Sequence, residues 1–180
     1  MKALIRLLIL LALLFCIAAA VSLRSFRVLL NEDLVATVEC ERAPETLPYP
    51  YLLEITQMEG KSPLLREKFP MIGDQWSIGG EILKWKPWLN FLGFKTCHKL
   101  TRLSSRYEKV ELEMTRPRFA YELNGGTTLL WYWLRRWGRW LPLVDAVYGN
   151  SVYMDMQPGQ RWAVYVMTSG YIVRPVRVSE

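Results

Sequence analysis

Turn-forming residues divide the chain beyond residue 30 into short segments, and this constrains the fold more than any other feature. Clusters that contain proline, glycine or both lie at residues 44–50, 58–63, 124–126, 158–160 and 169–170. Proline cannot donate a backbone hydrogen bond, and glycine costs conformational entropy inside a regular element. The pattern therefore predicts a series of short strands joined by turns.

The predicted strands share an alternation of apolar and polar residues or a high content of β-branched residues. The clearest, at residues 74–83, places Trp76 and Ile82 on one face, and its Gly79 and Gly80 indicate a bulge or a close backbone approach. The others are Leu34–Cys40, Tyr51–Gln57, Leu64–Phe69, Thr96–Tyr107, Glu108–Met114, Arg118–Leu123, Val152–Met156, Trp162–Thr168 and Tyr171–Val178. We predict an α+β fold: a β-rich single domain, sandwich-like or barrel-like, of about seven to nine strands with one packed amphipathic helix.

That helix is predicted at Leu129–Leu141, between a possible threonine cap and Pro142. At about 100° per residue, its apolar residues fall on one side and its arginines on the other. The apolar side consists of Leu130, Trp133, Leu134, Trp137, Trp140 and Leu141. We expect this side to pack on the sheet; the alternative is a helix that lies in the head-group region of a bilayer.

The N-terminal segment determines where the rest of the chain acts. Leu7–Val21 carries no charge, and a run of about 17 to 20 such residues crosses a hydrocarbon core roughly 30 Å thick as a helix. Two interpretations are open: an uncleaved anchor over residues 1–23, which we favour, and a signal peptide cleaved after Ala20. Both deliver the body, residues 24–180, to a membrane or across it. The leader favours a single-pass protein with its N-terminus in the cytoplasm and its body outside the cytoplasm.

The charge of the chain indicates what kinds of partner it meets. A net charge of +6 favours anionic lipid head groups or another acidic surface, although scattered basic residues are also typical of a solvated surface. An exported or anchored chain seldom meets nucleic acid, so we expect no nucleic-acid partner. We expect contact with membrane lipid through the N-terminal helix and with a protein partner, of unknown identity, through the body.

The most distinctive loop is Lys84–Phe94, where aromatic and basic residues lie side by side. Such residues suit contact with an interface or a partner, and a hydrophobic plug at one end of a barrel would use the same residues. The arginine face of the predicted helix is the second candidate. The candidate interaction residues are Trp85, Lys86, Trp88, Phe91, Arg135, Arg136 and Arg139.

Patterns for catalysis or metal binding are missing from the sequence. The body has one histidine, His98, and two cysteines, Cys40 and Cys97; the adjacent Cys97 and His98 would point to opposite faces of a strand and so cannot readily bind one ion. No nucleophile elbow, phosphate-binding loop, dinucleotide fingerprint or HExxH helix is present. We expect no enzyme, no cofactor and no metal site, unless His98 lies beside two carboxylates in a cleft. A disulfide between Cys40 and Cys97 and a pair of buried thiols are both open.

Several short motifs carry a resemblance to a group of known proteins. Gly73-Asp74-Gln75-Trp76, Ile82–Lys86, Arg102-Leu103-Ser104 and Val144–Gly149 resemble motifs of small bacterial membrane proteins that are often labelled "cation/multidrug efflux pump". The resemblance implies no catalytic residues. A transporter moves its substrate along a path between several spanning helices, whereas this chain has one predicted span. The resemblance therefore implies a membrane-anchored small domain and, at most, an accessory of a larger transporter. Together with the leader, it implies a single-pass protein of the bacterial inner membrane with its body in the periplasm.

The sequence thus predicts a non-enzymatic, membrane-anchored envelope protein that acts as an accessory or interaction module, with an association with transport implied by the resemblance. The alternative is a β-domain that binds an apolar small ligand or lipid in a cavity lined by Trp76, Trp85, Trp162 or Tyr165. A deep apolar pocket would favour the alternative. A filled interior with an exposed aromatic patch would favour the interaction module.

Overall fold

The computed structural model describes residues 6, 8–17, 19–20, 32–60 and 62–176, and in this part of the chain the turn-separated segments form nine strands. The strands are β1 (Asp33–Arg42), β2 (Tyr51–Glu59), β3 (Ser62–Met71), β4 (Gln75–Trp85), β5 (Cys97–Arg106), β6 (Ala120–Glu122), β7 (Val144–Asp155), β8 (Arg161–Met167) and β9 (Gly170–Val176). The helices are α1 (Pro87–Phe91), α2 (Val110–Thr115) and α3 (Leu129–Trp137), and a 3-10 helix, Gly138–Trp140, follows α3.

The strands pair antiparallel in two sheets, which confirms the β-rich prediction. Sheet A has the order β3-β2-β1-β8-β9, and sheet B has the order β6-β5-β4-β7. Prolines explain two of the edges, because proline has no N–H to donate to a neighbouring strand. Pro63 and Pro70 lie on β3 and Pro175 lies on β9, the two edge strands of sheet A.

The core lies between the sheets, and alternation along the strands determines which side chains enter it. On β4, Trp76, Ile78 and Ile82 are fully buried and pack in one cluster with Val38 of β1 and Trp162 of β8. The intervening residues of β4 lie on the opposite side, which we call the outer face of sheet B. This outer face carries the features that matter for function.

The glycine pair of β4 behaves as predicted. The register between β4 and β5 shifts between Gly79 and Gly80, so a bulge lies there. A Cβ atom at Gly80 would lie 2.2 Å from the Lys99 carbonyl oxygen and 2.6 Å from the Tyr171 hydroxyl oxygen. Only glycine fits this close approach between the sheets.

One local prediction is wrong, and the bounds of another need adjustment. Glu108–Met114, predicted as a strand, contains the helix α2, whose apolar Val110 and Met114 are exposed. Among the described strands, none pairs with this segment to bury an alternating face. The predicted helix at Leu129–Leu141 is shorter, because α3 ends at Trp137 and continues as the 3-10 helix.

Residues 8–17 of the N-terminal segment are helical. Among the residues that the structure describes, no helix is long and apolar enough to cross a bilayer. Residues 1–5, 7, 18 and 21–31 lie outside the described part. The membrane helix, its boundary at residue 23 and the compartment of the body therefore stay predictions.

Candidate interaction surface

A buried carboxylate on the outer face of sheet B fixes the position of α3. Glu81 lies in the middle of β4, and its side chain is only 5% exposed. Its Oε1 accepts hydrogen bonds from the Arg135 guanidinium and from the Thr127 hydroxyl, the latter at 3.2 Å. Burying a carboxylate without a partner is costly, so this acid requires a cation above it. Arg135 supplies that cation and ties α3 to the sheet.

Because Arg135 faces Glu81, α3 is rotated about its axis relative to the predicted orientation. The side that meets the sheet consists of half-buried Trp131 and Leu134, Arg135, and buried Gly138, which follow the i, i+3, i+4, i+7 spacing of one helix face. Gly138 allows close contact, since a Cβ atom there would lie 3.1 Å from a methyl carbon of Val147. The prediction that the tryptophan side packs on the sheet is therefore wrong, and α3 has no buried residue.

The other large apolar residues of α3 and of its 3-10 extension are instead exposed. The side chains of Trp133, Trp137 and Trp140 are 48%, 49% and 72% exposed, and Leu129 and Leu130 are more than half exposed. Water surrounds a large part of three indole rings on one short segment. Exposed apolar patches of this kind mark sites that contact a partner or a membrane.

The loop after β4 adds a second group of exposed aromatic residues. Pro87 occupies the first turn of α1, where its missing N–H costs nothing. Trp88, Leu92 and Phe94 are each about half exposed. Trp85 has a structural role: its indole N–H donates to the Lys95 carbonyl at 2.8 Å, which closes the loop.

The two segments that carry these groups connect to the same end of sheet B. Trp85, the last residue of β4, pairs with Val144, the first residue of β7. The next N–H, that of Lys86, donates to the Leu143 carbonyl at 3.0 Å. The loop after β4 therefore begins beside the residue where the segment after the 3-10 helix ends, although Lys86 and Leu143 lie more than fifty residues apart in sequence. We call their exposed apolar side chains the aromatic surface: Trp88, Leu92, Phe94, Leu129, Leu130, Trp133, Trp137, Trp140 and Leu143.

The basic residues predicted for this site differ in their settings. Arg136 is exposed, with its guanidinium carbon 5.2 Å from the centre of the Trp137 ring. Lys86 is half-buried, and Arg135 is held by Glu81. The side chains of Phe91 and Arg139 lie outside the described residues.

The apolar-ligand prediction has little support in the interior. Trp76 and Trp162 belong to the packed core and are 0% and 6% exposed. The concavity beside Asp33 and Asn90 has room for only about 20 Å³. Tyr165 lies under the Arg174 guanidinium, whose central carbon is 5.7 Å from the ring centre. These tryptophans fill the space that a ligand would need.

His98 is half-buried, and among the described residues Asp33 is the carboxylate whose charge acts on it. Its buried Nδ1 has no hydrogen-bond partner among the described residues, and its ring meets that of Tyr171 edge-on, with centroids 6.1 Å apart. Burial lowers the pKa of the imidazole, although the charge of Asp33 acts in the opposite direction. Within the described part of the chain, no three His, Cys, Asp or Glu side chains are grouped to hold a metal ion.

The cysteines of the body are separate free thiols. Cys40 is buried in sheet A and Cys97 is exposed in sheet B. Burial, with a smaller contribution from Glu41, raises the pKa of the Cys40 thiol to about 11. Cys40 therefore acts as a small core residue.

Sequence analysis missed a groove on the outer face of sheet B. Its most visible signal is the alternation of Arg102, Ser104 and Arg106 on β5, which places three polar side chains on one face. The residues that complete the groove come from other strands, so only the register brings them together.

Comparisons with protein-family models, curated proteins and solved structures find no match to this chain.

Proposed function

We propose that this protein is a non-enzymatic, membrane-associated interaction module whose aromatic surface lies in the head-group region of an anionic bilayer. The observation that carries the proposal is the exposure of Trp133, Trp137 and Trp140 on one short segment. Tryptophan favours the membrane–water boundary because its ring is apolar and its N–H is polar.

The exposed area is large enough to matter for binding. A tryptophan side chain presents some 150–250 Å² when fully exposed. About half of that, roughly 100 Å² per ring, would contribute about 2–3 kcal/mol if removed from water. Two such rings would supply a substantial part of a micromolar affinity, which corresponds to about 8 kcal/mol.

Charge supports an anionic surface over a neutral one. The chain has a net charge of +6, and each basic residue close to an anionic bilayer contributes about 1 kcal/mol. Arg136 is exposed next to Trp137, so a ring that enters the interface carries a cation with it to the phosphate level.

The predicted N-terminal helix is consistent with this arrangement. An anchor in the membrane keeps the body near the bilayer, so that a weak surface contact becomes an intramolecular one. The body would then hold a fixed orientation, which suits an accessory that presents its remaining surface to a protein partner. An association with transport is part of the proposal only through the resemblance of the motifs.

Binding to vesicles by the body alone tests the proposal. The core cluster is drawn from residues between Val35 and Tyr171, so a chain without residues 1–23 retains every core side chain; a cooperative urea transition checks that it folds. We expect this chain to sediment with vesicles that contain phosphatidylglycerol and only weakly with pure phosphatidylcholine. Trp133→Ala with Trp137→Ala should weaken the binding at least about tenfold.

Leu64→Ala provides the matched control. Leu64 is 65% exposed but lies on β3, an edge strand of sheet A. Its loss should leave vesicle binding unchanged. Equal losses in the control and the double variant, or no binding by the parent chain, would exclude lipid docking through the aromatic surface.

A further inference from the structure

The half of the outer face of sheet B that α3 leaves uncovered forms a groove of about 300 Å³. Strands β4 and β5 form the floor of the groove. Strand β7 lines one side, and the segment that contains α2 lines the other side. The lining residues are Ser77, Gly79, Arg102, Ser104, Arg106, Glu113, Arg118 and Ser151.

Strand register explains why these residues converge. Ser77 pairs with Ser104, and Gly79 pairs with Arg102 on one side and with Ser151 on the other. Paired residues on antiparallel strands point to the same face. Gly79 leaves the floor of the groove without a side chain. A Cβ atom at this position would lie 3.0 Å from the Cβ of Ser151, so there is little room for one.

The hydroxyl groups and one arginine of the groove are already held in place. The Ser77 and Ser104 oxygens lie 2.8 Å apart and share a hydrogen bond. The guanidinium of Arg118 donates to Glu113 at 2.8 Å, and the same carboxylate accepts the Tyr107 N–H at 2.8 Å. Arg118 is therefore oriented by a neutralising partner, which leaves its remaining N–H groups available.

Among the described residues, neither of the other two guanidinium groups makes an ion pair or a hydrogen bond, although the charge of Arg106 acts on Glu113. Arg106 lies over Tyr153, with its guanidinium carbon 4.7 Å from the ring centre, a contact that orients the cation without neutralising it. Arg102 is exposed, and within the described residues its guanidinium has no hydrogen bond or ion pair. Glu122 pairs with Arg102 across the strands and lies on the same face. Both residues line a neighbouring concavity, whereas Glu122 does not line the groove.

We propose that this groove binds a phosphate group, with Arg102, Arg106 and the hydroxyls of Ser77 and Ser104 as its ligands. Three guanidinium groups and one carboxylate line it and leave a net charge of +2. A phosphate monoester carries about −1.5 to −2 at neutral pH, which matches that charge. Guanidinium groups bind phosphate oxygens in pairs of parallel N–H bonds, and serine hydroxyls supply further donors.

The groove is larger than a phosphate group, so its ligand is a phosphorylated small molecule or a lipid head group. The site is separate from the aromatic surface. The residues that line the groove and those of the aromatic surface have no member in common. The inference does not rest on the proposed function, and each can fail alone.

Calorimetric titration of the full chain in maltoside micelles, which contain no phosphate, tests the site. Inorganic phosphate and glycerol 1-phosphate are titrated against chloride of matched ionic strength. We expect saturable binding, and we expect Arg102→Gln to weaken it at least about tenfold, the effect of losing a charge-assisted hydrogen bond. Ser77→Ala should weaken it by a smaller factor.

Arg42→Gln is the matched control, since Arg42 is exposed at the end of β1 in the other sheet. It should leave binding unchanged, as should Trp133→Ala. The absence of saturable binding by either phosphate ligand would overturn the proposal. So would equal losses in the Arg102 and Arg42 variants when both melt at the temperature of the parent chain.

Monomeric dihexanoyl phosphatidylglycerol identifies the source of the phosphate. Tighter binding than glycerol 1-phosphate, lost in Arg102→Gln, supports a lipid head group as the ligand. Weaker binding, with the same dependence on Arg102, supports a soluble phosphate monoester. Lipid binding that does not depend on Arg102 contradicts the assignment of the groove.

Discussion

Tryptophans occupy two contrasting regions of this molecule. In the sandwich interior, Trp76 and Trp162 are almost completely buried, whereas Trp133 and Trp137 of α3 are about half exposed. The interior tryptophans lie on strands whose alternation directs them into the core. Those of α3 lie on a helix held by an ion pair and a glycine contact. Tryptophan therefore stabilises the fold in the interior, whereas on α3 it is available to contact a partner.

The largest expected effect is the loss of stability when an interior tryptophan is replaced. Trp76→Ala should destabilise the domain by about 3–5 kcal/mol, because it removes a fully buried ring from a packed core. Urea unfolding, monitored by far-ultraviolet circular dichroism, measures the change. A loss below about 1 kcal/mol would show that the interior is loosely packed and would erase the contrast.

The next effect concerns the attachment of α3. Arg135→Ala should cost about 1–2 kcal/mol, because it leaves the carboxylate of Glu81 buried with fewer donors; the half-exposed guanidinium keeps the value below that of a fully buried pair. The adjacent Arg136→Ala should change stability by no more than about 0.5 kcal/mol. In a Glu81→Gln background, Arg135→Ala should cost less, and equal costs in both backgrounds would argue against the ion pair.

The free energy of unfolding should depend on pH through His98. Burial lowers the pKa of His98, so below a pH of about 6.5 the unfolded chain binds a proton that the folded chain does not. Stability should therefore fall as the pH drops through this range, with a slope of at most about 1.4 kcal/mol per pH unit. His98→Phe should flatten the slope between pH 7.5 and the lowered pKa. An unchanged slope would assign the dependence to another group.

The smallest expected effect on stability comes from replacing an exposed tryptophan of α3. Trp137→Ala should alter the free energy of unfolding by about 0.5 kcal/mol or less, as is usual for an exposed position. Thermal melts of the parent chain and the variant, run side by side, provide the measurement. A loss as large as that of Trp76→Ala would place Trp137 in a packed interface.

Much of the sheet structure follows from local sequence. Alternation around Trp76, the mid-strand glycine pair and the turn clusters predicted β4, its bulge and most of the other strands. The length of β7 was less predictable, because Gly149 and Asn150 are typical turn residues and yet pair with Glu81 and Gly80 of β4. Pairing across the sheet overrides the local preference.

Of the residues in the aromatic surface, only Trp88 was among the predicted interaction residues, and the tryptophans of α3 were predicted to pack on the sheet. The periodicity of α3 groups Trp133 and Trp137 correctly, yet periodicity cannot say which side meets the sheet. That choice depends on Glu81, which lies about fifty residues earlier in the chain and requires a cation from the helix. The meeting of the two aromatic segments likewise depends on the pairing of Trp85 with Val144, which no local pattern reveals.

Quenching of tryptophan fluorescence by brominated lipid tests the central claim most directly, because bromine quenches only rings that enter the bilayer interface. The chain without residues 1–23 is added to anionic vesicles whose lipids carry bromine near the head group. We predict strong quenching in the parent chain and a marked reduction in Trp133→Phe with Trp137→Phe, while Trp162→Phe keeps the full effect. Quenching that is absent from the parent chain, or unchanged in the double variant, would contradict the account.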